Sequence, residues 1–151
     1  MRVILAVLSL AMVLSAAAGP LRADEAETRE ALRQTALDYI EGWYEGDAER
    51  MERALHPEFA KRAVMTDRTS GRSRLDQMSA MTLVQYTRAG YGKQTPVEDR
   101  QADVTILDIY ENAAVVKVVA HAWIDYLQIA KFNGRWVIVN VLWELKPESG
   151  E

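Results

Sequence analysis

The sequence predicts a single-domain α+β protein. Three observations carry that reading. Apolar residues between Ala26 and Ala89 recur at three- and four-residue steps, as on amphipathic helices. From Ala102 onward they recur at every second residue, as on strands. Asn133-Gly134 stands between two such alternating runs and is the strongest hairpin signal in the chain. Helices first and an antiparallel meander afterwards is the order of an α+β domain. A length of 151 residues suits one such domain and not two.

The N-terminus is of another kind. Arg2 precedes an uncharged apolar run, Val3 to Ala18, that closes in small residues. This is the layout of a secretory signal peptide. Cleavage after Ala18 fits the small-x-small rule. Cleavage after Ala23 is the alternative, giving a leader over residues 1–23 and a domain over 24–151. The run is shorter than the roughly 20 residues of a spanning helix. The mature protein is therefore expected in the periplasm or secreted, and off the membrane.

Ala26 to Tyr44 reads as the first helix, with Leu32, Ala36, Tyr39 or Ile40, and Trp43 on one face. Gly46 ends it, and Asp47 caps a second helix, Ala48 to Leu55. Pro57 stops that helix and suits the first turn of another short one, Pro57 to Arg62. Thr66 to Ser73 is a polar loop. Arg74 to Ala89 is the third main helix, with Leu75, Met78, Met81 or Thr82, and Gln85 on one side, and Gly90 to Arg100 is a further loop. Ala102 to Tyr110 is a strand, Glu111-Asn112 a tight turn, and Ala113 to Lys131 a long, bent β run. Arg135 to Leu145 is the last strand, ended by Pro147.

Composition removes several functions. The leader takes Arg2 and Arg22 with it. That leaves 16 basic residues against 22 acidic ones, with no basic stripe for nucleic acid. There is no Cys, so a lipid anchor on Cys, a zinc–thiolate site and thiol catalysis are excluded. The two histidines, His56 and His121, lie far apart with no HxH or HExxH spacing, so no metal site is expected. No phosphate loop, dinucleotide fingerprint or G-x-S-x-G is present, and no cofactor is expected.

Three segments resemble the nuclear transport factor 2-like superfamily, which includes ketosteroid isomerases, scytalone dehydratase and polyketide cyclases. They are Tyr39-Ile40-Glu41-Gly42-Trp43-Tyr44-Glu45-Gly46-Asp47, Leu55-His56-Pro57-Glu58, and the pair Ile124 to Ile129 with Asn133 to Ile138. The closest resemblance is to the lumazine-binding-like branch. It implies a cone-shaped fold, three main N-terminal helices packed on a curved antiparallel sheet that encloses an apolar pocket. It also implies a homodimer through the outer sheet face, here carrying Tyr126, Gln128 and Asn140 among the apolar Ile124, Ile138 and Leu142.

Tyr39 and Asp125 match, residue by residue, a Tyr and an Asp that form the oxyanion hole of ketosteroid isomerases. There the Asp is kept protonated by its apolar site, and the resemblance implies the same for Asp125. The isomerases' general base falls here on Val64, with Asp67 three residues on. An oxyanion hole without a base cannot move a proton from carbon. A structural role, a buried carboxylate hydrogen-bonded to a Tyr, Trp or backbone N–H, competes with the catalytic one. His56 is the other acid/base candidate, and the alternative for it is a helix-end histidine bonded to free carbonyls. The candidate ligand-binding set is Tyr39, Trp43, His56, Met65, Trp123, Asp125 and Trp143. Arg62, Arg68, Arg72, Arg74 and Arg88 either meet an anion at the pocket mouth or form a solvated face.

The facing of Asp125 depends on the hairpin register, because a one-residue slip exchanges the faces of a strand. A two-residue turn pairs Asp125 with Leu142. A three-residue loop, Phe132 to Gly134, pairs it with Val141 and separates apolar from polar more cleanly. The second register is the one expected. Three functions remain: an exported protein binding a small apolar molecule, an isomerase-, dehydratase- or cyclase-type enzyme built on Tyr39 and Asp125, and a structural or interaction domain whose pocket is filled by its own tryptophans.

Overall fold

The computed structural model describes residues 20–147, with side chains from Asp24 onward. The body of the expected leader, Met1 to Gly19, lies outside the described residues. Helix α1 runs Pro20–Glu45 and α2 runs Ala48–Ala54. Leu32, Ala36, Tyr39, Ile40 and Tyr44 form the buried face of α1, the spacing that marks a helix against a core. Gly46 turns the chain with φ 67°, a left-handed conformation that favours glycine. Asp47 Oδ1 then accepts from the backbone N–H groups of Glu49 (3.1 Å) and Arg50 (3.0 Å), capping α2.

Two expected helical segments are strands instead. Leu55–Thr66 is β1 and Ser73–Ser79 is β2; only Ala80–Arg88 is helical, as α3. Pro57 opens no helix. It sits in an irregular stretch of β1, between the paired residues Leu55 and Ala60, where its missing N–H breaks no ladder bond. Beyond it Phe59, Lys61 and Ala63 alternate inward. The helical stripe read through Leu75 and Met81 has no core to face, since these residues are 60% and 71% exposed. Ser79 Oγ accepts from Thr82 N–H at 3.2 Å, which fixes the true start of α3.

The remaining strands are β3 (Ala102–Tyr110), β4 (Ala113–Ala120), β5 (Trp123–Phe132) and β6 (Arg135–Leu145). The long β run bends at His121-Ala122 and so counts as two strands. The sheet order is β2-β1-β6-β5-β4-β3. Its pairs are antiparallel except β1–β6, which is parallel, so the sheet is mixed rather than wholly antiparallel. It is curved but not closed, and the three helices pack on it.

The β5–β6 hairpin corrects the expected three-residue loop. Phe132 pairs with Arg135 across a two-residue Asn133-Gly134 turn, with Asn133 at φ 50° and Gly134 at φ 80°. That register alone would send Asp125 outward. Val139 is an extra residue in β6, however: Ile129 pairs with Ile138, but Gln128 pairs with Asn140. This bulge shifts the register by one. Asp125 ends opposite Trp143, on the inner face. Ile138, expected on the outer face, is fully buried inside.

Candidate functional site

The inner face of the sheet brings Lys61 of β1, Trp123 and Asp125 of β5, and Trp143 of β6 beneath Tyr39 of α1. Asp125 is fully buried, and three donors converge on its carboxylate. Lys61 Nζ donates to Oδ1 at 2.7 Å. Tyr39 Oη donates to Oδ2 at 3.2 Å, and Trp123 Nε1 to the same oxygen at 2.7 Å. Lys61 Nζ also donates to Tyr39 Oη at 2.6 Å. Both oxygens of the Asp125 carboxyl are thus acceptors, to an ammonium, a phenol and an indole. The donor role that the isomerase resemblance implies for Asp125 is not the one this geometry gives it. Nor is the Tyr39 hydroxyl proton free to serve an oxyanion, since it is directed at Asp125.

Lys61 is the residue that sequence reasoning missed. It is only 8% exposed, and its Nζ lies 5.1 Å from the Trp143 ring centroid, 5.3 Å from Tyr39 and 5.7 Å from Trp123. Those distances are in the cation–π range. Burial pushes the Lys61 ammonium below its ordinary pKa of 10.5, and the charge and hydrogen bond of Asp125 oppose that push. Burial, then the negative charge of Asp125, raises the Tyr39 phenol well above 10.0. Among the described residues no buried side-chain nitrogen or oxygen lacks a partner.

Above this cluster lies a cavity of about 360 Å³. Tyr39, Ile40, Trp43, Met51, Lys61, Met78, Leu83, Ala122, Trp123, Trp143 and Leu145 line it. Tyr39, Trp43, Trp123 and Trp143 are therefore brought together around one cavity. Asp125 lies one layer deeper, behind Lys61. The three tryptophans border the space without filling it.

His56 and Met65 are not part of this lining. His56 faces a more open groove bounded by Glu52, Arg53, Phe132 and Arg135. Its Nδ1 accepts from Glu58 N–H at 3.1 Å, and its ring stacks 4.6 Å from Phe132. The parallel β1–β6 pairing carries it to the far end of β6, near Ile138 and the hairpin turn. Met65 lies near the end of β1, opposite Arg74. Asp67 accepts from the N–H groups of Thr69 (3.1 Å) and Ser70 (2.6 Å), and so shapes the β1–β2 turn. Arg62 bonds Gln77 and Asn140, and Arg74 pairs with Asp76; neither lines the cavity. Among the described residues no group of three His, Cys, Asp or Glu could hold a metal, and no helix is long and apolar enough to cross a membrane.

A family model described as "Putative lumazine-binding" matches residues 27–144. Similar solved structures include an NTF2-like protein of unknown function from Silicibacter pomeroyi. It is 16% identical, with a TM-score of 0.60 over 81% of this chain and 98% of that one. Another, also of unknown function, is from Shewanella baltica: 17% identical, TM-score 0.59, over 82% of this chain and 97% of that one. An NTF2-like protein with a cystatin-like fold from Novosphingobium aromaticivorans is 13% identical, with a TM-score of 0.58 over 86% and 89%. At these identities the likeness is one of fold. No curated protein matches the sequence.

Proposed function

We propose that this chain, which belongs to that lumazine-binding family of nuclear transport factor 2-like proteins, is an exported protein that holds a small, largely apolar molecule in the cavity floored by Lys61. The observation that carries this reading is a roughly 360 Å³ apolar space left open beside a charged cluster. Well-packed cores leave few voids larger than a water molecule. Concave, mostly apolar pockets of this size with a few convergent polar groups are the usual form of a small-molecule site. Export rests on the Val3 to Ala18 run and the small residues after it.

The enzyme reading has less support. It needs a base within reach of a substrate at Tyr39. Its two candidates, His56 and Asp67, line another groove and a turn.

The protein pairs with a second copy through the outer sheet face. Tyr126 and Leu142 are cross-strand partners there and are 42% and 50% exposed. Val64 and Leu75 face each other across β1 and β2 on the same side, also exposed. An apolar surface of this kind is a common mark of association. Light scattering should give twice the chain mass, and Leu142→Arg should halve it.

Binding is tested with the neutral fluorescent probe N-phenyl-1-naphthylamine. One molecule should bind per chain, with quenching of tryptophan emission. Leu83→Trp, which fills the cavity from α3, should abolish binding while the fold is kept. Absence of binding, or binding untouched by the filling substitution, contradicts the reading.

A further inference from the structure

The cavity's floor says what kind of molecule it accepts, provided that it is a ligand site as proposed above. Besides the indole N–H groups of its three tryptophans, which are donors only, Lys61 and Tyr39 carry the polar side-chain ends among its lining residues. An ammonium has three N–H donors and no acceptor. Asp125 Oδ1 takes one and Tyr39 Oη another. The third has only the faces of aromatic rings around it. The other polar atoms of the cluster cannot receive it. Trp123 Nε1 is itself a donor, and Asp125 lies beneath Lys61 rather than on the cavity wall.

Charge narrows the choice further. Lys61 and Asp125 neutralise each other at 2.7 Å. An anionic ligand would bring an unbalanced charge into an apolar enclosure, which is costly. A cationic one would meet the Lys61 ammonium with no carboxylate on the lining to receive it. A pure hydrocarbon would satisfy the walls but leave the third N–H without an acceptor. The indoles of Trp43, Trp123 and Trp143 supply broad faces that suit a ring system.

We propose that the cavity selects a neutral, flat ring compound bearing a carbonyl oxygen, and that Lys61 Nζ donates to that oxygen. Recognition is noncovalent. Asp125 and Tyr39 hold the ammonium in place, and the tryptophans hold the ring.

The test uses three matched probes on the full mature protein: 9-fluorenone, fluorene and fluorene-9-carboxylate. Calorimetry at neutral pH should show fluorenone binding roughly 10- to 100-fold more tightly than fluorene, the range expected for one hydrogen bond to a charged donor. The carboxylate should bind more weakly than fluorenone. The infrared carbonyl stretch of fluorenone should fall on binding. In the double variant K61M/D125N, which removes both charges together, the fluorenone preference and the infrared shift should vanish while fluorene still binds. Fluorene binding as well as fluorenone, or the carboxylate binding best, overturns the assignment and leaves the ligand-binding reading standing. Failure of all three probes to bind would count against both.

Discussion

Lys61 Nζ lies 2.7 Å from Asp125 Oδ1, and both residues are buried. The pair joins β1 to β5 across the intervening β6, so it ties the sheet together directly beneath the cavity. A buried pair of this kind stabilises little compared with apolar residues of the same shape, but breaking it leaves an uncompensated charge.

Lys61→Met is therefore expected to destabilise the fold by about 3–5 kcal/mol. Asp125→Asn strands the ammonium and should also destabilise. The double variant should cost less than the two single changes summed, by about 1 kcal/mol or more. Urea unfolding of the four proteins gives the cycle. Additive single effects would mean that the two charges do not depend on each other.

A second charged cluster contributes to the acid sensitivity of the fold. Asp38 is buried, which alone pushes its carboxyl upward. Hydrogen bonds from Arg53, Gln34 and Arg50 outweigh that and hold it below its ordinary 3.8. A carboxyl lowered in the folded state contributes stability above 3.8 that is lost as pH falls through the folded value. Unfolding midpoints should therefore drop below pH 3.8. Asp38→Asn should weaken the protein near neutral pH by about 1–3 kcal/mol and flatten that acid-side loss. An unchanged acid limb in the variant would assign it to other carboxylates.

Gly92 positions a cavity wall. It is buried in the short turn Tyr91–Gln94, and a Cβ there would come 2.1 Å from the Trp43 carbonyl oxygen and 2.7 Å from Trp43 Cδ1. Backbone cannot yield as a flexible side chain does, so Gly92→Ala must displace Trp43 or the turn. A loss of about 1–3 kcal/mol is expected. Weaker N-phenyl-1-naphthylamine binding should accompany it, because Trp43 lines the cavity. Unchanged stability and binding would show that the turn is free to move away.

Helices and caps were legible where one residue type decides the geometry. Asp47 caps α2, Gly46 ends α1, and Asn133-Gly134 turns the hairpin, each by local chemistry that reads off the chain. Strand β1 was not legible, because Pro57 opens a helix as readily as it interrupts a strand edge; the choice is made by pairing with β2 and β6, which is non-local. Reading β1 as a helix hid Lys61, whose inward facing follows only from strand alternation with Phe59 and Ala63. Strand β2 was hidden in the same way by an accidental three-residue spacing of Leu75, Met78 and Met81. The inward facing of Asp125 was expected on a three-residue loop. It arises instead from a two-residue turn plus the Val139 bulge, two one-residue shifts that reach the same face. No residue type in Val137-Ile138-Val139 announces that bulge.

The proposed ligand occupies the space between Tyr39, Lys61 and the three tryptophans. The most direct measurement is a crystal structure of the protein purified from its own source. Non-protein density is expected in the cavity, against the indole faces and within hydrogen-bond distance of Lys61 Nζ. Trp43, Trp123 and Trp143 collapsed together, with no space left between them, would contradict it.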